Sequence, residues 1–94
     1  MNKSDLITET AFKTGMTRKD IERVLNTAFE LMTQELAKGE NVKLSGFGIF
    51  SVKERAEHYG RNPRTGEQMT IPAVKAVQFR AGKALKEAVE GTEE

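Results

Sequence analysis

The stretch Gly60-Arg61-Asn62-Pro63-Arg64-Thr65-Gly66 decides how this 94-residue chain is read. A proline and two arginines sit inside a glycine-bounded turn. On both sides lie alternating segments that can pair as strands. Such a segment projects as a two-stranded ribbon with a positive, partly apolar tip. Arginine suits this place because its rigid fork of donors grips phosphates and groove edges. Proline suits it because a stiff ring without an N–H can wedge between base pairs and unstack them. Asn-Pro and Thr-Gly are also common turn dipeptides, so the heptapeptide alone also reads as a plain hairpin turn. The rest of the chain separates the two readings.

On the N-terminal side the period is two from Asn41 onward. Val42, Leu44, Phe50 and Val52 alternate with polar residues. Gly46 and Gly48 bracket Phe47, which predicts a tight hairpin that pushes one aromatic ring into the core. The strand can continue past Val52 as Lys53-Glu54-Arg55-Ala56-Glu57-His58-Tyr59. It then has no apolar face left to bury and must leave the body of the fold. The return segment, residues 68–79, becomes apolar only toward Val77 and Phe79. Two strands that lose core character at the same end make an arm, over about residues 53–76. Lys53, Arg55 and Arg61 share one parity and so one face. Pro72 removes a ladder donor, which an arm tolerates. The chain closes with a short helix over residues 80–89. Free N–H groups of its first turn beside Lys83 suit a phosphate; a plain terminal helix docked by Leu85 and Val89 is the other reading. Residues 91–94 are expected to fray.

Before the strands the period is helical. Asn2 or Ser4 can cap a first helix that runs to about Thr14, with Leu6, Ile7 and Ala11 as its apolar stripe. Gly15 ends it in a left-handed turn. Thr17 with Asp20 resembles a capping box for a second helix that reaches about Lys38 and stops at Gly39. Ile21, Val24, Leu25, Ala28, Phe29, Met32 and Leu36 recur at three- and four-residue spacing. Two helices joined by a tight turn make a hairpin or a helix-turn-helix. A recognition helix needs donors opposite its core stripe. Arg18, Lys19 and Arg23 are there, but Asp20 and Glu22 interleave them, and so wide a stripe fits a core helix better. The fold class that follows is α+β: an N-terminal helix hairpin, a three-stranded antiparallel sheet with an extended β-ribbon arm, and a short C-terminal helix.

A chain of this length forms one small domain over residues 1–94 and buries only about 60–65% of its unfolded surface, so its core is marginal alone. There is no cysteine, and His58 is the only histidine. Neither disulfides nor a structural metal can staple it, which leaves oligomerisation. No apolar run approaches a membrane span, and the N-terminus has no secretory pattern; a cytoplasmic protein is expected. The net charge of +1 hides an uneven distribution. Residues 41–86 hold nine basic side chains against three acidic ones, whereas residues 87–94 hold four glutamates and no base. Positive charge is concentrated in the half that carries the ribbon, the footprint of a polyanion partner.

Helix hairpin, sheet, basic arm with a proline tip and closing helix together resemble the HU/IHF family of bacterial histone-like DNA-bending proteins, HU most closely. Met1-Asn2-Lys3, Gly46-Phe47-Gly48-Ile49-Phe50, Gly60-Arg61-Asn62-Pro63 with Thr65-Gly66, and Gly82-Lys83-Ala84-Leu85-Lys86 carry the resemblance. It covers about residues 1–90 without an obvious gap. It implies an intertwined homodimer whose sheets form a saddle and whose two arms wrap the minor groove of double-stranded DNA in the bacterial nucleoid. Pro63 would be the intercalating wedge, with Arg61, Asn62 and Arg64 in the groove beside it. Lys53, Arg55, Lys75 and Arg80 would line the arm base and saddle. Lys3, Arg18, Lys83 and Lys86 would meet phosphates on the flanks. Phe47, Phe50 and Phe79 would form the aromatic centre of the dimer core. The chain departs from the family pattern at Glu57, His58 and Tyr59, an arm stretch often more basic in relatives. It departs again at Val77, where many relatives carry proline, and in its slightly long Glu-rich end. These departures lower the expected affinity and leave the binding mode intact.

The expected activity is non-enzymatic bending and compaction of duplex DNA with little sequence preference, without cofactor or metal. One rival is a site-specific subunit of an IHF-like heterodimer. Another, of a different class, is a protein-interaction module that uses the arm for strand addition. An enzyme is disfavoured, because no nucleophile–base constellation is visible in the sequence.

Overall fold

Caps fix where each helix begins and ends. The structure, a computed structural model, describes residues 1–91. Helix α1 spans Lys3–Thr14. Asn2, not Ser4, is its cap: Asn2 Oδ1 accepts from the Asp5 N–H at 2.8 Å, and Asp5 Oδ2 accepts from the Asn2 N–H at 3.0 Å. Both bonds satisfy N–H groups that a helix start leaves free. Gly15 closes the helix with φ 75°, a left-handed backbone that costs an L side chain. Helix α2 spans Arg18–Ala37, one residue short of the expected end. Thr17 Oγ1 accepts from the Asp20 N–H at 3.1 Å at its start.

Two compact units result, Met1–Gln34 and the chain from Glu35 onward. In the helical unit Ile7 and Ala11 of α1 close on Ile21 of α2, with Leu25 packed beside them. These three are the only buried hydrophobic side chains among the described residues. Much of the α2 stripe stays open in the chain itself. Val24 is 57% exposed and Phe29 43%.

The second unit holds strands β1 (Val42–Leu44), β2 (Gly48–Arg55), β3 (His58–Arg61), β4 (Gln68–Ile71) and β5 (Val74–Ala81), then helix α3 (Lys83–Glu90). Strands β1, β2 and β5 form an antiparallel sheet in that order, while β3 and β4 form a separate two-stranded ribbon. The expected continuous arm strand is thus interrupted at Ala56 and Glu57. Its partner strand breaks at Pro72 and Ala73, because proline has no N–H to offer the ladder. The register does not slip across the gap. Arg55 pairs with Val74 before it, and His58 pairs with Ile71 after it. Gly46, with φ 82°, takes the third position of the turn between β1 and β2, where the Phe47 N–H donates to the Leu44 carbonyl at 2.9 Å. Gly91 is part of the fold, not frayed. It caps α3 with φ 64° and donates to the Glu87 carbonyl at 3.2 Å. The rest of the end expected to fray, residues 92–94, lies outside the described residues.

Candidate nucleic-acid interface

Directly opposed residues in an antiparallel ladder share a face, and the faces alternate along each strand. The register therefore sorts the sheet into two unlike surfaces. One carries Val42, Leu44, Phe50, Val52, Val77 and Phe79. The other carries Lys43, Ile49, Ser51, Lys53, Arg55, Gln78 and Arg80. The second surface is basic and open. Lys43, Lys53, Arg55 and Arg80 are all exposed, and Lys43, Lys53 and Arg80 line one shallow concavity with Asn41, Ser51 and Gln78. No acidic side chain lies among them.

Lys53 and Arg55 share one face as their parity implies, and the β2–β5 register adds Arg80 to it. Lys75 is not. It opposes Glu54 on the other surface and approaches its carboxylate at 4.0 Å. Lys43 was not among the expected residues. The signal for it was present, since it sits between the inward-facing Val42 and Leu44 and must point the opposite way.

The apolar surface carries the aromatic cluster. The Phe79 ring lies 4.7 Å from Phe50 and 5.6 Å from Phe47, centroid to centroid, both tilted by 47°. Phe47 joins the aromatic cluster but is not buried within the single chain. It is 48% exposed there, and Phe79 is 43% exposed. Two glycines let the cluster form. A Cβ on Gly48 would meet Phe79 and the Arg80 carbonyl, and a Cβ on Gly82 would come within 3.1 Å of the Phe47 carbonyl.

Beyond the gap the ribbon keeps the same sorting. Tyr59 opposes Thr70 and Arg61 opposes Gln68; the unbroken register puts them on the surface that Arg55 begins. His58, Gly60, Met69 and Ile71 make the other side. The tip is a tight loop held from inside. The Asn62 carbonyl accepts from the Gly66 N–H at 2.7 Å, and Asn62 Oδ1 accepts from the Arg64 N–H at 2.8 Å. Gly66 has φ 76°. Asn62 is therefore a turn former, half-buried, with its side-chain oxygen already committed. Pro63 and Arg64 stand exposed at the extremity.

The remaining expected residues lie on two separate surfaces, each within its own unit. Lys3 and Arg18 line one shallow concavity of the helical unit together with Lys19 and Glu22, and Lys3 Nζ also donates to Asn26 Oδ1. Lys83 and Lys86 lie together on α3, where Glu87 and Glu90 line the same depression and offset their charge. Gly82 precedes this helix without a side-chain cap. Among the described residues no group of three or more His, Cys, Asp or Glu side chains could hold a metal ion. None of the described helices is long and apolar enough to cross a membrane.

Comparison with known proteins gives one consistent picture. The sequence model of a family described as bacterial DNA-binding protein matches residues 1–90. The DNA-binding protein HU of Lactococcus lactis is 56% identical over 88 residues, which is 94% of this chain and 97% of that protein. The DNA-binding protein HU-1 of Halalkalibacterium halodurans is 51% identical, covering 95% of this chain and 99% of its own. Among solved structures, Anabaena HU cocrystallised with DNA superposes with a TM-score of 0.87 at 40% identity over 98% of this chain and 100% of that one. HU of Thermotoga maritima superposes with a TM-score of 0.67 at 36% identity, covering 95% of this chain and 98% of its own.

Proposed function

The chain belongs to the bacterial DNA-binding protein family of HU-type proteins, and from that premise we propose that it binds double-stranded DNA and bends it as an architectural protein. One observation carries the reading: a basic sheet surface runs in a single register into an arm that ends in an exposed proline and arginine. Lys43, Lys53, Arg55 and Arg80 neutralise phosphates on the saddle. Affinity then comes mostly from released counterions and carries little sequence information. Arg61 and Arg64 hold the strands of the minor groove while the Pro63 ring enters a base step. The general rule for such wedges, of which HU-type proteins are themselves a standing example, sets unstacking at about a few kcal/mol per step. A bent duplex that touches more protein offsets that cost. Asn62 acts by shaping the tip. Lys3, Arg18, Lys83 and Lys86 are flank contacts, the last two weakened by Glu87 and Glu90.

The active species is an intertwined homodimer. Support comes from what a single chain leaves open: the aromatic cluster, Val77 at 60% exposure and the uncovered part of the α2 stripe. A second copy supplies the missing cover for these apolar faces, and residues 1–94 act as one DNA-binding domain. The site of action is the cytoplasmic nucleoid, and the role is structural, not catalytic. Neither the geometry nor the HU relatives favour strand addition or a site-specific heterodimer. The experiment is a binding titration across salt with random, nicked and prebent duplexes. Salt-dependent binding to all three, tightest for the deformed ones, is expected. Binding confined to one sequence would defeat the reading.

A further inference from the structure

The two sides of the β3–β4 ribbon differ in chemistry. On one side Ile71 lies over Gly60, where a Cβ would sit 2.7 Å from Ile71 Cδ1. Both residues are half-buried, while His58 and Met69 on the same side are exposed. The other side presents Tyr59, Arg61, Gln68 and Thr70, all exposed. Each can donate a hydrogen bond, through phenol O–H, guanidinium, amide NH₂ and hydroxyl, and of the four only the guanidinium cannot also accept one. Tyr59 is 73% exposed although it is a large aromatic side chain with a stiff ring. It stands two residues from Arg61 on the surface that continues the basic face of the sheet.

We propose that Tyr59 reaches the floor of the minor groove and gives the arm a preference for A·T over G·C pairs. The inference rests on the DNA-binding reading above. In the minor groove A·T and T·A pairs show only the acceptors N3 and O2, and a G·C pair adds the N2 amino donor. Donors aimed at those acceptors fit the first pattern, and the amino group of the second raises the groove floor that the side chains must reach. The amino group of guanine meets the donor-only fork of Arg61 and keeps the rigid phenol ring from the depth at which its O–H finds an acceptor. An aromatic side chain also covers the apolar sugar walls of the groove at low entropic cost, since only two torsions are fixed.

The test is fluorescence anisotropy with the full-length protein and three short duplexes that differ in one central tract: A·T, G·C and inosine·C. Inosine lacks the 2-amino group and keeps the remaining groove pattern of guanine. Wild-type protein should bind the A·T and inosine·C duplexes more tightly than the G·C duplex by roughly two- to tenfold, the worth of one hydrogen bond. Tyr59→Phe removes only an exposed hydroxyl. It should erase that difference and leave the salt slope unchanged. Equal wild-type affinity for G·C and inosine·C, or a preference that survives in Tyr59→Phe, overturns the role of Tyr59 while DNA binding stands. Absence of salt-dependent binding to all three duplexes overturns the DNA-binding reading and this inference with it.

Discussion

Gly48→Ala adds one methyl group at the point where the sheet has least room for it. Gly48 is buried at the start of β2, opposite Leu44 on one side and Ala81 on the other. A Cβ there would lie 2.6 Å from the Arg80 carbonyl oxygen and 2.6 Å from Phe79 Cε1 and Cζ. The ring can move, but the carbonyl belongs to the backbone of a strand held by the β2–β5 ladder. Gly48 does not have a positive φ, so any loss is steric and not conformational. Overpacking of this kind costs about 1–3 kcal/mol. Displacing Phe79 also disturbs its contacts with Phe47 and Phe50, each worth about 0.5–1.5 kcal/mol. A total near 3 kcal/mol lowers the melting temperature of a domain this size by roughly 10–20 °C. The assay is thermal unfolding followed by circular dichroism at one fixed protein concentration, because the midpoint of a dimer depends on concentration. Gly46→Ala is the control. Gly46 has φ 82° and nothing within 4 Å of its added Cβ, so its loss is only the left-handed strain of about 1–2 kcal/mol. Gly48→Ala melting within a few degrees of wild type, or Gly46→Ala losing more, would refute the steric argument.

Other substitutions probe the interface and the assembly. Arg55→Ala or Arg80→Ala should weaken binding to unrelated duplexes by similar factors and reduce the salt slope by about 1. Lys75→Ala, on the opposite surface beside Glu54, should leave that slope near wild type; an equal fall for Lys75 would contradict the sorting of faces. Phe47→Asp places a carboxylate in the aromatic cluster proposed as the dimer core, and should abolish the folded dimer in sedimentation. A well-folded wild-type monomer at micromolar concentration would count against the dimer. Pro63→Ala keeps every charge, so salt-dependent attraction should survive while bending and the preference for nicked DNA decline. Unchanged bending would reduce Pro63 to a turn residue.

Local chemistry and the antiparallel pairing were legible in the sequence, and the exact register was not. Helix ends followed from Gly15 and Gly39, and the change of period at Asn41 marked the first strand. The choice between Asn2 and Ser4 stayed open because both can cap; the reciprocal Asp5 bond decides it. Parity along one strand placed Lys53, Arg55 and Arg61 together. Lys75 is on the partner strand, and its side depends on a register set across a long arm by the Gly48–Ala81 pairing. No property of Lys75 itself encodes that. Asn62 was legible twice, as a groove contact and as a turn residue. Its side-chain oxygen bonded to the Arg64 N–H supports the second. Phe47 was legible as an apolar residue at a tight turn, but its 48% exposure in the single chain was not, because composition reports apolar surface without reporting what covers it.

The account turns on whether the arms and the basic sheet surface deform the duplex they hold. The direct measurement is energy transfer between dyes at the two ends of a short random-sequence duplex, with wild-type protein added to saturation. The account predicts a large rise in transfer that titrates with bound dimer and reverses when salt releases the protein. Saturated binding with transfer unchanged from free DNA would contradict it.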